Sequence, residues 1–383
     1  MKRLKVKYKI MENEREITHQ YTKYLITEDV RSILYSLYNL LITGKFNFVS
    51  SLFSLYTALY CNEANRYLYI ETIAEKEKNK VKDLRNEIKI FTDKYGKTKN
   101  KIEDIAKEEI QRFDELEGEG SDNLAVFLTS QNKIIYNSHL LLLNDEYLSK
   151  DFSFIAKECM HSGEMLGSEL NKIRRTLGLD LNDEDEKIFS LINNKDIDEE
   201  IGTINLKVNN NNNLFVYERE LSLNLTLLHL VSLIGFVNNI ISKMMPYYDL
   251  WTFRIRYITV HIIVDSLRAI KNKINIEPLE NAEFFNALKP LLDENVTNSG
   301  KNPIISDNFR SCMMHYGFYN KGQCSIKDKY LDPKKPFCGL VESCFSQPFN
   351  EYNEKLIDYS IKLENSLQQF FNIDENQIEW DFA

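Results

Sequence analysis

Apolar residues recur every three or four positions along most of the chain, which is the spacing of helices that bury one face. The clearest case lies near the C-terminus, where the apolar positions are Tyr352, Leu356, Tyr359, Leu363, Leu367 and Phe370. Two earlier segments, 221–245 and 250–274, are apolar on nearly every side and predict helices buried in a core. Helical spacing also runs from residue 28 to residue 61, with a break near residue 44 that predicts a helical hairpin. The sequence therefore predicts a mainly α protein.

Two other patterns concern the N-terminal half. Residues 66–113 become rich in Glu and Lys, which is typical of solvated helices, and they predict a charged helical arm. Basic and apolar residues alternate at positions 1–7, and this alternation predicts an opening strand.

A change of pattern near the middle of the chain marks a domain boundary. Apolar and polar residues alternate on either side of a run of asparagines, which predicts a small β element near 204–217, as a hairpin or an ordered linker. We place the boundary within it. The chain is thus predicted to form an N-terminal helical domain, residues 1–212, and a C-terminal bundle of four to five helices, residues 213–383.

The charge balance limits the functions that fit. A formal net charge of −9 argues against a protein that coats nucleic acid through a general basic surface. Residues 301–340 reverse this balance locally, with seven Lys or Arg against three Asp. Six scattered cysteines are typical of free thiols in a reducing compartment. His229, Asn238 and Asn239 interrupt the apolar segment 221–245 and favour a core helix over a membrane span. We expect a cytoplasmic protein with no membrane partner.

The candidate chemistry lies in residues 308–317, which read NFRSCMMHYG. Arg310 offers a planar fork of donors that suits a phosphate, and His315 carries the side chain best able to move protons near neutral pH. Ser306 or Asp307 can cap a short helix that holds both residues. Backbone N–H groups at such a helix end favour a bound anion. The pair therefore predicts cleavage of a phosphodiester.

The string from Arg310 to His315 resembles the Arg-x4-6-His signature of the HEPN superfamily (higher eukaryotes and prokaryotes nucleotide-binding). Members of that superfamily are all-helical and often metal-independent ribonucleases. The resemblance implies that Arg310 and His315 are catalytic and that residues 213–383 form a HEPN-like bundle. Ser311 takes the polar position after the arginine, which in the family is more often Asn, Asp or His.

The resemblance also implies a reaction and a set of partners. RNA would be cut by attack of the 2′-hydroxyl on the adjacent phosphate, leaving a cyclic phosphate and a 5′-hydroxyl, without a metal or another cofactor. Family ribonucleases set two motif copies face to face across a dimer, which implies a homodimer with a composite site. Their use as toxins or in phage defence implies an antitoxin or sensor partner.

Basic and aromatic residues after Arg310 are the expected RNA-contacting surface. Lysines would guide the phosphate backbone, and an aromatic ring would stack on a base. The expected residues are Lys321, Lys327, Lys329, Lys334, Lys335 and Tyr316.

Three other interpretations remain open. Arg256 and His261 repeat the motif spacing inside an apolar helix, either as a structural pair or as a second motif copy. Five residues could instead bind zinc, although they lack the paired C-x2-C spacing that marks such sites. These residues are Cys312, His315, Cys324, Cys338 and Cys344. The alternative from another class is a non-catalytic helical interaction protein in which the charged arm mediates assembly.

Overall fold

The computed structural model describes most of the chain. The described residues are 2–42, 46–68, 75–87, 95–118, 121–143, 152–179, 200–208, 213–217, 220–245, 249–295, 304–316, 318–320, 323–324, 326, 330–333 and 335–380. They form a mainly α fold with a small antiparallel sheet, as the spacing of apolar residues predicts.

The first half of the chain is dominated by helices. Their bounds are Lys2–Ile42 for α1, Phe46–Leu68 for α2, Glu75–Glu87 for α3, Tyr95–Glu117 for α4 and Phe152–Thr176 for α5. Helices α1 and α2 pack together, which confirms the helical hairpin predicted for residues 28–61. The predicted opening strand is wrong, because the backbone is helical from Lys2 onward. The alternation of basic and apolar residues covers only seven positions, and these positions belong to a much longer helix.

Two long apolar helices form the centre of the fold, as the sequence predicts. Helix α6 covers Leu221–Met244 and contains a wider π-helical turn at Phe236–Ile241, whereas α7 covers Leu250–Ile276. Asp249 caps α7 by accepting a hydrogen bond from the Thr252 N–H at 2.7 Å. Among the described residues, α6 is the one helix long and apolar enough to cross a membrane, and 83 % of its most apolar window is buried within the protein.

The described residues of the charged segment 66–113 are helical, and their helices pack against the rest of the protein. Helix α3 packs on α2, and α4 packs on both α6 and α7. Ile102 and Ile105 of α4 are buried at 1 % and 0 % exposure. A few apolar residues at helical spacing therefore hold α4 against the core despite the surrounding charges.

A four-stranded antiparallel sheet lies against α6. Its strands are β1 (Leu124–Thr129), β2 (Ile134–Asn137), β3 (Ile201–Leu206) and β6 (Glu379–Trp380), in the order β2-β1-β3-β6, and β4 (Tyr319–Asn320) pairs separately with β5 (Gln323–Cys324). Strand β3 confirms the β element predicted near 204–217. The hairpin is wrong, however, because β3 pairs with β1 and β6, whereas Phe215 bridges to Phe371.

The remaining helices complete the C-terminal half. They are α8 (Ala282–Asn295), α9 (Asp307–His315), α10 (Cys338–Phe345) and α11 (Phe349–Gln368). The predicted apolar face of α11 is confirmed, since Tyr352, Leu356 and Leu367 are each 0 % exposed. Elements from both sides of residue 212 share the same sheet and the same apolar core.

Candidate functional site

Helix α9, which carries Arg310 and His315, is fixed at both ends. Ser306 is its N-cap and accepts a hydrogen bond from the Phe309 N–H at 3.5 Å. The Tyr257 hydroxyl of α7 donates to the Ser306 carbonyl at 3.0 Å, and the Phe309 ring is fully buried against the Tyr257 ring. The helix ends where Tyr316 adopts a left-handed conformation with φ of 48°. The backbone that carries the motif is therefore anchored to α7.

His315 lies at the surface beside a buried carboxylate. Its imidazole Nδ1 is 3.3 Å from Oε2 of Glu63, which belongs to α2. The His315 side chain is 35 % exposed, whereas the Glu63 side chain is 3 % exposed. An accessible imidazole backed by a carboxylate that water cannot reach is an arrangement suited to moving protons. Glu63 is a candidate functional residue that the motif spacing did not reveal.

Glu63 is held in the ionised form by its neighbours. Burial raises the pKa of this carboxyl, but the close contact with His315, the charge of Arg85 and the hydrogen bond from Asn62 together lower it more, so the net pKa is below its ordinary value. The Arg85 guanidinium donates to Oε1 at 3.1 Å and the Asn62 amide donates to the same oxygen at 2.9 Å. Oε2 is left to face His315.

Arg310 lies on another flank of α9 and is half-buried. Its Nε has no hydrogen-bond acceptor among the described residues. Its charge acts on Asp265 of α7, which also faces His261 at 3.1 Å and Arg268 at 2.5 Å. Burial raises the pKa of Asp265, but the close contact with His261 and the charges of Arg268 and Arg310 lower it more, so the net pKa is below its ordinary value. Arg310 thus contributes a positive charge that no described carboxylate binds directly.

The two motif side chains do not converge on one point of α9. Five helical residues turn the chain by about 500°, so Arg310 and His315 project about 140° apart around the helix axis. The neighbours of the two side chains agree with this divergence. His315 faces Glu63 of α2, whereas the charge of Arg310 lowers the pKa of Asp265 in α7. The two side chains therefore lie on different flanks of the helix.

No protein-family model, no curated protein and no solved structure matches the chain. The likeness to the HEPN superfamily stays confined to the motif residues Arg310, Ser311 and His315.

Tyr316 does not lie where the sequence prediction placed it. Its side chain is 3 % exposed, and its hydroxyl donates to Oδ2 of Asp29 in α1 at 2.5 Å. The Arg254 guanidinium covers one face of its ring, 3.8 Å from the centroid, and the Tyr60 ring meets it edge-on. The structure therefore corrects the expectation that Tyr316 stacks on an RNA base, because both the ring and the hydroxyl are engaged inside the protein.

The other predicted site residues fall into two groups. Ser311 is exposed on α9, and its hydroxyl donates to the Asp307 carbonyl at 3.1 Å. Lys335 is exposed. The remaining predicted RNA-contacting lysines lie outside the described residues, and these are Lys321, Lys327, Lys329 and Lys334.

The second copy of the motif spacing is buried inside the protein. Arg256 is 5 % exposed and donates to the Ser242 hydroxyl of α6. His261 is 3 % exposed and pairs with Asp265 one turn along α7. These contacts support a structural role for both residues.

The zinc interpretation gains no support from the described side chains. Cys312, Cys338 and Cys344 are free thiols. Within the part of the chain that the structure describes, no three His, Cys, Asp or Glu side chains gather as a metal site. The Cys324 side chain lies outside that part.

Proposed function

We propose that this protein is an endoribonuclease of HEPN type that cuts RNA without a metal ion. The 2′-hydroxyl attacks the adjacent phosphate, and His315, backed by Glu63, relays the proton. Arg310 stabilises the negative charge that gathers on the phosphorane. The products are a 2′,3′-cyclic phosphate and a 5′-hydroxyl.

The observation that carries this proposal is the pairing of an accessible imidazole with a buried anion. Glu63 is almost fully shielded from water, so its charge is screened less than that of a surface carboxylate. It orients the His315 ring and stabilises the imidazolium that forms when the ring accepts a proton. Among the described residues, His261 also lies beside a carboxylate, but its side chain is too buried to meet a polymer such as RNA.

The divergence of Arg310 and His315 supports a composite site between two chains. A two-fold dimer that brings α9 helices together can place Arg310 of one chain opposite His315 of its partner. Each dimer then holds two equivalent sites, and each site takes its cation from one chain and its proton relay from the other.

Mixing two inactive variants tests both the activity and this arrangement. We expect Arg310→Ala to slow RNA cleavage in EDTA by about 10²- to 10³-fold, as the loss of an electrostatic donor does. An equimolar mixture of Arg310→Ala and His315→Ala should recover about a quarter of the wild-type rate, because half the dimers are mixed and each holds one intact site. The rates are measured on one defined single-stranded RNA, with Arg175→Ala as the control for a lost surface arginine.

Two results would overturn the proposal. Absence of cleavage by the wild-type protein would remove the activity. Equal rates for wild type and Arg310→Ala would assign the cleavage to another site or a contaminant. Failure of the mixture to recover activity, although the chains exchange, would place Arg310 and His315 in one chain and contradict the composite site alone.

A non-catalytic helical interaction protein is the second candidate. It is favoured by the close packing of α9, whose Phe309, Cys312 and Met313 are each at most 1 % exposed. In that case Glu63 and His315 are a structural pair joining α2 to α9. Replacing both residues would then lower the free energy of unfolding, and neither the wild-type protein nor the variant would cleave RNA.

A further inference from the structure

A cavity of about 170 Å³ lies between α4, the start of the sheet and the 3₁₀ helix Ser138–Leu143. Phe113, Leu124, Leu141 and Leu142 provide much of its apolar lining. Its volume is below the range of about 300–1,000 Å³ that holds drug-sized ligands, so it suits a fragment-sized molecule. Helix α9 contributes no residue to the lining, so this cavity is independent of the proposed nuclease site.

Glu109 of α4 is the buried polar group of this cavity. The residue is 4 % exposed, and its Oε1 has no aligned hydrogen-bond donor among the described residues. The Arg112 Nη1 lies 2.8 Å from Oε1, close enough for an ion pair. The ion pair offsets part of the cost of burying this carboxylate, and a ligand that donates an N–H to Oε1 would offset more of it.

The other polar groups of the lining are neutral or lie at the rim. Asn123 is buried, its side-chain carbonyl accepts from the Val208 N–H at 2.7 Å, and its backbone carbonyl faces the buried His139 ring at 3.0 Å. Asp122 and Asn205 are exposed, and they mark where the cavity meets solvent. A flat ring can therefore enter between apolar walls and meet Glu109 and Arg112 with its polar edge.

We infer that this cavity binds a flat nitrogen heterocycle the size of one nucleobase, with adjacent N–H donors facing Glu109 and an acceptor facing Arg112. Guanine has this pattern, since its N1–H and N2 amino group lie side by side and its O6 is next to them. The guanine N1–H can donate to Oε1 of Glu109, while the apolar walls cover the ring faces. The ribose of a nucleoside then lies at the rim beside Asp122 and Asn205.

Titration calorimetry with guanosine as the probe tests this assignment. We expect saturable one-to-one binding to the full-length protein, and affinity about ten- to a hundredfold weaker for 1-methylguanosine, which lacks the N1–H. Glu109→Gln should weaken guanosine binding by a similar factor, whereas Glu117→Gln, an exposed residue at the end of α4, should not. The methylated ligand keeps the test independent of any effect of substitution on folding.

The binding should also depend on pH. Burial raises the pKa of Glu109 to about 7, against the lowering effect of Arg112 and with the raising effect of Glu108. Asp122 and the neutral, buried His139 are the other titratable groups beside the cavity. Guanosine needs the ionised carboxylate, so its affinity should fall about tenfold from pH 8 to pH 6, and this dependence should vanish in Glu109→Gln.

A second binding experiment distinguishes a base presented by RNA from a free nucleoside. If the trinucleotide UGU binds more tightly than guanosine, the cavity binds a base presented by RNA. If guanosine binds more tightly than UGU, the cavity binds a free nucleoside. No saturable binding of either probe, or equal affinity for guanosine and 1-methylguanosine, would overturn the assignment.

Discussion

Replacing His315 with alanine will slow RNA cleavage in EDTA by about 10²- to 10⁴-fold, the usual contribution of a positioned acid or base. The imidazole is the accessible member of the Glu63–His315 pair, and alanine cannot accept or donate the proton. The rate is measured with a single defined RNA under single-turnover conditions. Glu63→Gln should give an intermediate rate, because the imidazole remains but loses the anion behind it.

His161→Ala provides the matched control for this result. His161 is an exposed histidine on α5, so its loss removes an imidazole from the surface without touching α9. The wild-type rate is expected for this variant. A rate for His315→Ala within about twofold of wild type would exclude His315 from the chemistry.

Replacing Arg254 with methionine will lower the free energy of unfolding by about 3–5 kcal/mol, as expected when one member of a buried ion pair is removed. Arg254 of α7 donates to Asp29 of α1 and to the Met313 carbonyl of α9, the latter at 2.6 Å, and it covers the Tyr316 ring. Asp29 is 1 % exposed. Methionine has a similar length but leaves the Asp29 charge buried, with the Tyr316 hydroxyl as its one hydrogen-bond partner among the described residues.

Urea unfolding measures this loss, and Arg268→Met serves as the control on the same helix. Arg268 pairs with Asp265 but is 37 % exposed, so its replacement should cost less than about 1 kcal/mol. The double variant Asp29→Leu, Arg254→Met should lose less stability than the sum of its single variants. A loss below about 1 kcal/mol for Arg254→Met would show that the buried cluster does not hold α9 in place.

The cluster around Arg254 also links stability to the candidate site. His315 lies between Met313, whose carbonyl Arg254 binds, and Tyr316, which Arg254 and Asp29 hold. Loosening these contacts releases the end of α9 and therefore the position of the imidazole opposite Glu63. The Arg254→Met variant should lose activity together with stability.

The spacing of apolar residues was sufficient to predict the helices that form the core. The long apolar segments became α6 and α7, the stepped apolar positions near the C-terminus became the buried face of α11, and Ser306 was one of the two predicted caps of α9. These features are local, because each is determined by residues within a few turns of one another. Strand β3, Ile201–Leu206, overlaps only the start of the β element predicted near 204–217.

The contacts that define the site could not be predicted in the same way. The Tyr316 hydroxyl binds Asp29, which is 287 residues away in the sequence, and His315 faces Glu63 on another helix of the N-terminal half. Strand β6 pairs with β3 although helices α6 to α11 separate them. Such pairings depend on how helices pack, and one sequence carries no local signal for them. The aromatic ring of Tyr316 suggested stacking on an RNA base. In the structure the ring is instead buried against Arg254 and packs inside the protein.

End-group analysis of RNA fragments produced in EDTA tests the proposed reaction most directly. We expect fragments with 2′,3′-cyclic phosphate and 5′-hydroxyl ends, and no cleavage at a linkage whose 2′-hydroxyl is replaced by hydrogen. Fragments with 5′-phosphate ends, cleavage that persists at the deoxy linkage, or an RNA left intact by the wild-type protein would contradict it.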